Sequence, residues 1–235
     1  MNDLAPPEPS TRAEVLGLVR AVASLPGLFA RGTPWGDGTH VLVVPGFMTS
    51  DRSTLAIRAF LRRQGYRPHT WDLGRNHGGV YELLPRVVER LDAIVARAGA
   101  PVALVGWSLG GVLAREAARH RPRDVRRIVT MGTPVVGGPK YTLAAEYYRK
   151  KGIDVDAIER DVAERNAVPH PVPISAIYSK NDHVVAWRAQ LDDNPANDVR
   201  HVEVSATHAG LGFSAEALTR LAEELALDGG SRGAA

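Results

Sequence analysis

The chain contains no cysteine, which removes disulfides, thiolate metal sites and a cysteine nucleophile from consideration. It has no apolar run of the length that spans a bilayer. Lysine occurs only at Lys140, Lys150, Lys151 and Lys180, so nearly all positive charge is arginine. The formal net charge is +3 with a pI near 9.4. Basic residues are nevertheless mixed with Asp and Glu throughout, the pattern of a solvated surface and not of a nucleic-acid footprint. The segment Met1-Asn2-Asp3-Leu4-Ala5-Pro6-Pro7 lacks a basic start followed by an apolar core, so no secretory signal is expected and a cytoplasmic protein is. No His, Asp and Glu set has metal-ligand spacing. Gly132 to Gly138 has P-loop-like glycines, but Gly138 stands where lysine is required. No glycine fingerprint opens the first strand–helix unit, and no cofactor is expected.

What remains is a chain of 235 residues, 44% hydrophobic and 23% charged, enough for one domain with an ample core. Residues 1–9 read as a loose arm. Thr11 and Glu14 have capping-box spacing, and Val15, Leu18, Val19 and Val22 recur on one helical face, predicting an amphipathic helix over 12–24. Residues 26–38 form a turn-rich connection. Strands are predicted at 39–44, 67–72, 102–105, 125–131, 174–178 and 199–204, and helices at 51–64, 80–98, 111–119 and 215–227. Residues 135–172 interrupt the alternation with Tyr141, Tyr147, Tyr148 and a charged helical run, as a cap over a site or a long crossover helix would. The tail from Asp228 to Ala235 reads as flexible. Short apolar strands alternating with helices argue for a parallel sheet covered on both faces.

The organising stretch is PVALVGWSLGGVLARE, residues 101–116. An apolar strand runs into Gly106-Trp107-Ser108-Leu109-Gly110, and a helix follows. G-x-S-x-G between strand and helix is the nucleophile elbow, in which a strained turn lifts the serine hydroxyl clear of the sheet. With Gly-Trp-Ser-Leu-Gly-Gly in that setting, the chain resembles the α/β-hydrolase superfamily, and more narrowly its small lipases and esterases. The Gly132-Thr133-Pro134 stop also resembles the GPI-inositol-deacylase-like branch. The resemblance covers roughly residues 39–227 and implies a mostly parallel six-stranded sheet with helices on both faces and a small helical cap at 135–172. It departs from the eight-stranded pattern at the start, where residues 1–38 read as an arm and a helix.

A serine hydroxyl needs a general base, and the base a partner that fixes its tautomer. In the resembled fold the order is Ser, acid, His. Asp182 lies just past the strand 174–178, and His208 just past the last strand. Both fall on the sheet edge where Ser108 emerges. His183 is the rival base, but it adjoins Asp182 and points away from it. His40, His69, His77, His120, His170 and His201 fall in strands, loops, helix ends or between prolines. Asp72, Asp192 and Asp193 are rival acids. Oxyanion donors are expected at the backbone N–H of Leu109 and of Phe47, in Pro45-Gly46-Phe47-Met48 where many relatives carry His-Gly, with Met48 as the alternative. Phe47, Met48, Trp107, Val135, Tyr141, Trp187 and Leu211 are candidates for an acyl-pocket wall. Asn76-His77-Gly78-Gly79 could shape its mouth, with no assigned chemistry.

These readings converge on a cofactor-independent serine hydrolase that cleaves a lipid or short acyl ester through an acyl-enzyme on Ser108. A thioesterase, amidase or acyltransferase with the same residues, and a non-catalytic ligand-binding protein of this fold, are the alternatives.

Overall fold

The computed structural model describes residues 4–5, 7–26 and 36–227. The expected flexible tail, and residues 27–35 of the expected connection, lie outside them. Six strands, β1 (His40–Val44), β2 (Arg67–His69), β3 (Val102–Trp107), β4 (Val125–Met131), β5 (Ile174–Tyr178) and β6 (Val199–Glu203), form one sheet in the order β2-β1-β3-β4-β5-β6. Every pairing is parallel. The central strands β1 and β3 are buried along their whole length, which is why they read as unbroken apolar runs and not as alternating ones.

Among the described residues seven α-helices accompany the sheet: α1 (Thr11–Ser24), α2 (Leu55–Arg63), α3 (Val80–Ala98), α4 (Leu109–His120), α5 (Ala145–Lys150), α6 (Val155–Ala167) and α7 (Ala215–Ala226). Successive residues of a strand point to opposite faces, so each central strand feeds two cores. Val41, Val43, Val105 and Val129 pack with Ile57, Phe60 and Leu61 of α2 and Leu218, Leu221 and Leu225 of α7. Leu42, Val44, Leu104 and Ile128 pack on the other face with Leu84, Val87 and Leu91 of α3 and Leu113 of α4. No helix among the described residues is long and apolar enough to cross a membrane.

Three local expectations need correction. β2 stops at His69 instead of running to Asp72, because the Asp51 carboxylate accepts the N–H groups of Trp71 (3.0 Å) and Asp72 (3.2 Å). Asp72 then takes φ 59° and turns the chain off the sheet. α2 opens at Leu55 and not at Asp51, because residues 51–54 form a turn closed by three-residue bonds, Ser53 N–H to Ser50 O (2.9 Å) and Thr54 N–H to Asp51 O (3.3 Å). At α1 the cap is Ser10, whose hydroxyl accepts the Ala13 N–H, and not Thr11.

The anticipated apolar face of α1 is outside: Val15 is 56% and Val19 59% exposed. The face turned inward carries Gly17 and Ala21 instead. A Cβ at Gly17 would fall 2.2 Å from Thr207 Oγ1, so this helix lies too close to the loop after β6 for a branched side chain to intervene.

Candidate active site

β3 ends at Trp107 and α4 begins at Leu109, so Ser108 alone makes the turn, at φ 55° and ψ −127°. A non-glycine residue in that region is strained and persists only when its surroundings hold it. Three hydrogen bonds do so. Ser108 N–H donates to Met131 O (2.8 Å), and Ser108 O accepts from Thr133 Oγ1 (2.9 Å) and Gly111 N–H (2.9 Å). The flanking glycines are required by space: a Cβ at Gly106 would sit 2.3 Å from Gly111 Cα, and one at Gly110 would sit 2.2 Å from Val44 O. Strand, turn and helix are thereby pressed against the neighbouring strand β1.

Asp182 follows β5, and His208 follows β6. Both are buried, at 5% and 8% exposure, and His208 Nδ1–H donates to Asp182 Oδ2 at 2.6 Å. The remaining acceptor positions of Asp182 are also filled. Oδ1 accepts the N–H groups of Val184 (2.8 Å) and Val185 (2.7 Å), and Oδ2 also accepts from Gln190 Nε2 (3.0 Å). A carboxylate with four donors on it cannot turn, so the imidazole it holds has one orientation. Burial opposes a charge on His208, but the Asp182 charge, the hydrogen bond to it and the Glu14 charge outweigh that, and the His208 pKa is raised. Among the described residues His208 Nε2 has no hydrogen-bond partner, and its ring and Ser108 line the same cavity.

The rivals are engaged elsewhere. His183 lines a separate depression beside α1. Asp72 pairs with Arg90 at 2.6 Å. Asp192 pairs with the buried Arg115 at 2.6 Å, and Asp193 borders a different groove with Asp192. His170 accepts the Val172 N–H on Nδ1 (3.3 Å) and contacts Arg115 O through Nε2 (3.1 Å). His120 Nδ1 meets Glu116 O at 3.0 Å, and His40 stacks on His69 with ring centroids 4.9 Å apart.

The loop after β1 comes against Ser108 so closely that a Cβ at Gly46 would lie 3.1 Å from Ser108 Cβ. Of its two candidate amides, Met48 N–H is already spent on Asn76 O (2.7 Å), whereas Phe47 N–H has no partner among the described residues. Leu109, first residue of α4, likewise has no helical partner for its N–H.

The stretch 76–79, unassigned from sequence, braces this loop. Asn76 is fully buried; its Nδ2 donates to Pro45 O (2.9 Å) and its N–H to Thr49 O (2.8 Å). Gly78 lets Phe47 and Tyr148 close in, since a Cβ there would be 2.3 Å from the Tyr148 hydroxyl, which itself donates to Gly78 O at 3.1 Å.

Ser108 and His208 open onto a cavity of about 570 Å³. Its floor is Phe47, Trp107, Leu109 and Val112, and its far wall comes from the segment between β4 and β5: Pro139, Tyr148, Ile153, Ile158 and Val162. Of the seven apolar candidates, only Phe47 and Trp107 line it. Met48 points to solvent, 40% exposed. Val135 borders the groove of Asp192. Tyr141 is turned away by the bond of its hydroxyl to Glu159. Trp187 stacks on Tyr178 beneath Arg188. Leu211 is fully buried in the core. Position after a strand end decided none of these; the local partner did. Among the described residues no three His, Asp or Glu side chains are grouped to hold a metal ion.

The model of the Alpha/beta hydrolase family matches residues 25–226. No curated protein matches the chain. Among solved structures, a mature-form Bacillus licheniformis lipase superposes with TM-score 0.63 at 13% identity, covering 83% of this chain and 94% of that one. A Paleococcus ferrophilus monoacylglycerol lipase gives 0.58 at 13% identity, covering 82% and 97%. The thioesterase domain of the curacin biosynthetic pathway gives 0.55 at 15% identity, covering 81% and 92%. These likenesses are of fold.

Proposed function

Because the chain belongs to the alpha/beta hydrolase family, we propose that it is a serine hydrolase cleaving carboxylic esters through an acyl-enzyme. The observation that carries this reading is the 2.6 Å bond between His208 and a fully bonded Asp182, with His208 and Ser108 lining one cavity.

In this reading Ser108 Oγ attacks the ester carbonyl carbon while His208 Nε2 takes the hydroxyl proton, and the carbonyl π electrons move to oxygen. Asp182 holds Nδ1–H and stabilises the imidazolium. The N–H groups of Phe47 and Leu109 hold the oxyanion, each donor contributing a few kcal/mol in a water-poor site. As the tetrahedral adduct collapses, the alkoxide leaves with the proton from Nε2. Water then attacks the acyl-enzyme, its proton passing to His208 and on to Ser108 Oγ as the acid departs. The apolar far wall of the cavity suits an acyl chain, each buried methylene contributing about 0.8 kcal/mol.

The test is hydrolysis of p-nitrophenyl esters across acyl lengths by the wild type and Ser108→Ala. Turnover by the wild type, reduced by about a thousandfold or more in the variant, supports the reading. Two folded proteins that cleave no ester would sink it and direct the assay to thioesters and amides.

A further inference from the structure

The carboxylate of Glu14 sits where no capping role would put it. Its Oε1 accepts the N–H of His183 (3.0 Å) and of His208 (3.2 Å), and its Oε2 accepts the N–H of Ala209 (2.8 Å). One side chain on α1 thus ties the loop that carries Asp182 to the loop that carries His208. Around it α1 is fitted to the same loop. Gly17 lies against Thr207, the residue before His208, and Ser24 Oγ accepts the Ala215 N–H at 3.0 Å. A helix side chain that served only its own N-terminus would meet amides of residues 10–13, not of residues 183, 208 and 209.

We propose that Glu14 is a positioning residue for His208: bridging the backbone amides of 183, 208 and 209, it fixes the imidazole over Ser108 and adds a second negative charge behind it. The inference rests on the serine-hydrolase reading for its catalytic consequence, but its geometric part does not. Beyond these bonds, the side-chain links between the two loops are the His208–Asp182 contact and, nearer the strands, Asn181 Nδ2 donating to Ser205 O (3.0 Å). A displacement of about 1 Å at a general base costs on the order of a hundredfold in rate, so a brace on the backbone of that residue has a large lever. The charged and titratable groups packed about the loop are Asp182 and His183 after β5, Glu14 and Arg20 on α1, and Glu216 on α7, whose carboxylate takes the Ser205 N–H (3.0 Å) and hydroxyl (2.6 Å). Of these, Asp182 and Glu14 act on the His208 charge, both raising its pKa.

The test compares wild type, Glu14→Gln and Ser24→Ala. The first read-out is NMR titration of the His208 imidazole, assigned by its loss in His208→Asn. The second is the pH profile of ester hydrolysis, with kcat and KM separated. Glu14→Gln keeps the size and removes the charge. Its His208 should titrate at lower pH than in the wild type, the acid limb of kcat should move down with it, and kcat at pH 8 should fall about tenfold at unchanged KM. Ser24→Ala removes a different α1 contact and should leave the titration where it was. An unmoved His208 titration in Glu14→Gln, or an equal shift in Ser24→Ala, overturns the proposal; the latter would mean that any loosening of α1 suffices. If Glu14→Gln does not fold, Glu14→Ala replaces it with the best helix former, and the same titration decides. A wild type that cleaves no ester would defeat the hydrolase reading alone, because the titration still tests the brace.

Discussion

At Ser108 the backbone is held in a conformation that glycine adopts freely and serine only under strain, at φ 55°. Such strain is worth about 1–3 kcal/mol, and relief of it is measurable. Ser108→Gly should be inactive yet more stable than Ser108→Ala by about 1 kcal/mol in urea unfolding, since alanine keeps the Cβ that the turn disfavours. Equal midpoints for the two variants would show that the turn is not strained. The turn at Ser108 and the meeting of Asp182 with His208 were legible in the sequence because each of the three stands at a strand end and the elbow has a fixed local pattern. Glu14, Asn76 and Gln190 were not. Their bonds reach residues 194, 31 and 8 positions away, and no local rule links a carboxylate in a first helix with amides in a last loop. Asn76, a fully buried amide beside two glycines, carried the faintest signal: such a side chain must have partners, and they are the backbone of the loop after β1.

Among the elements, α3, β4 and β5 have the bounds that their apolar periodicity predicts, because each buries one continuous stripe. α1 has the right span but the wrong face, since glycine and alanine carry no hydrophobic weight in a pattern and yet decide how closely two backbones approach. The segment between β4 and β5 is firmly tied. Lys140 pairs with Asp156 (2.7 Å) and Glu159 (2.5 Å), Arg165 with Glu116 (2.8 Å) and Asp161 (2.9 Å), and the Tyr81 hydroxyl of α3 donates to Asp161 (2.5 Å). α6 therefore presents Ile158 and Val162 to the cavity from a fixed height. Ile158→Trp should shorten the space available to an acyl chain. Turnover of acetyl esters should stay within about threefold, while each methylene displaced from the cavity costs about fourfold in kcat/KM. A chain-length profile unchanged from wild type would mean that the acyl group does not run toward α6.

For the molecule as a whole, the groups that titrate near neutrality act in opposite directions on stability. His170 lies ahead of β5 against Arg115 O of α4, and its pKa is lowered to about 4 by burial and by the Arg115 charge. In the unfolded chain it would take up a proton near the ordinary histidine value, so the unfolded state binds more protons between about pH 6.5 and pH 4. Stability must therefore fall as pH drops through that window, by up to about 3 kcal/mol from this group. His69, lowered to about 4 by burial and by His40, acts in the same sense. His208, with a raised pKa, stabilises the fold at low pH and loses that contribution as pH rises past it. Urea midpoints from pH 7 to pH 4.5 should decline, and His170→Asn should flatten the decline; a slope unaltered in that variant would assign the acid sensitivity elsewhere.

The bonds from Glu14 to His208 and Ala209 join residues 194 and 195 positions apart and so close a loop of most of the chain. Contacts so distant in sequence form late, after the sheet has brought their ends together. The turn at Ser108, by contrast, is tied to Met131 and Thr133, no more than 25 positions along the chain. A refolding molecule should therefore form the turn at Ser108 before the bridge from Glu14, passing for an interval through a folded core whose last loop is not yet tied down.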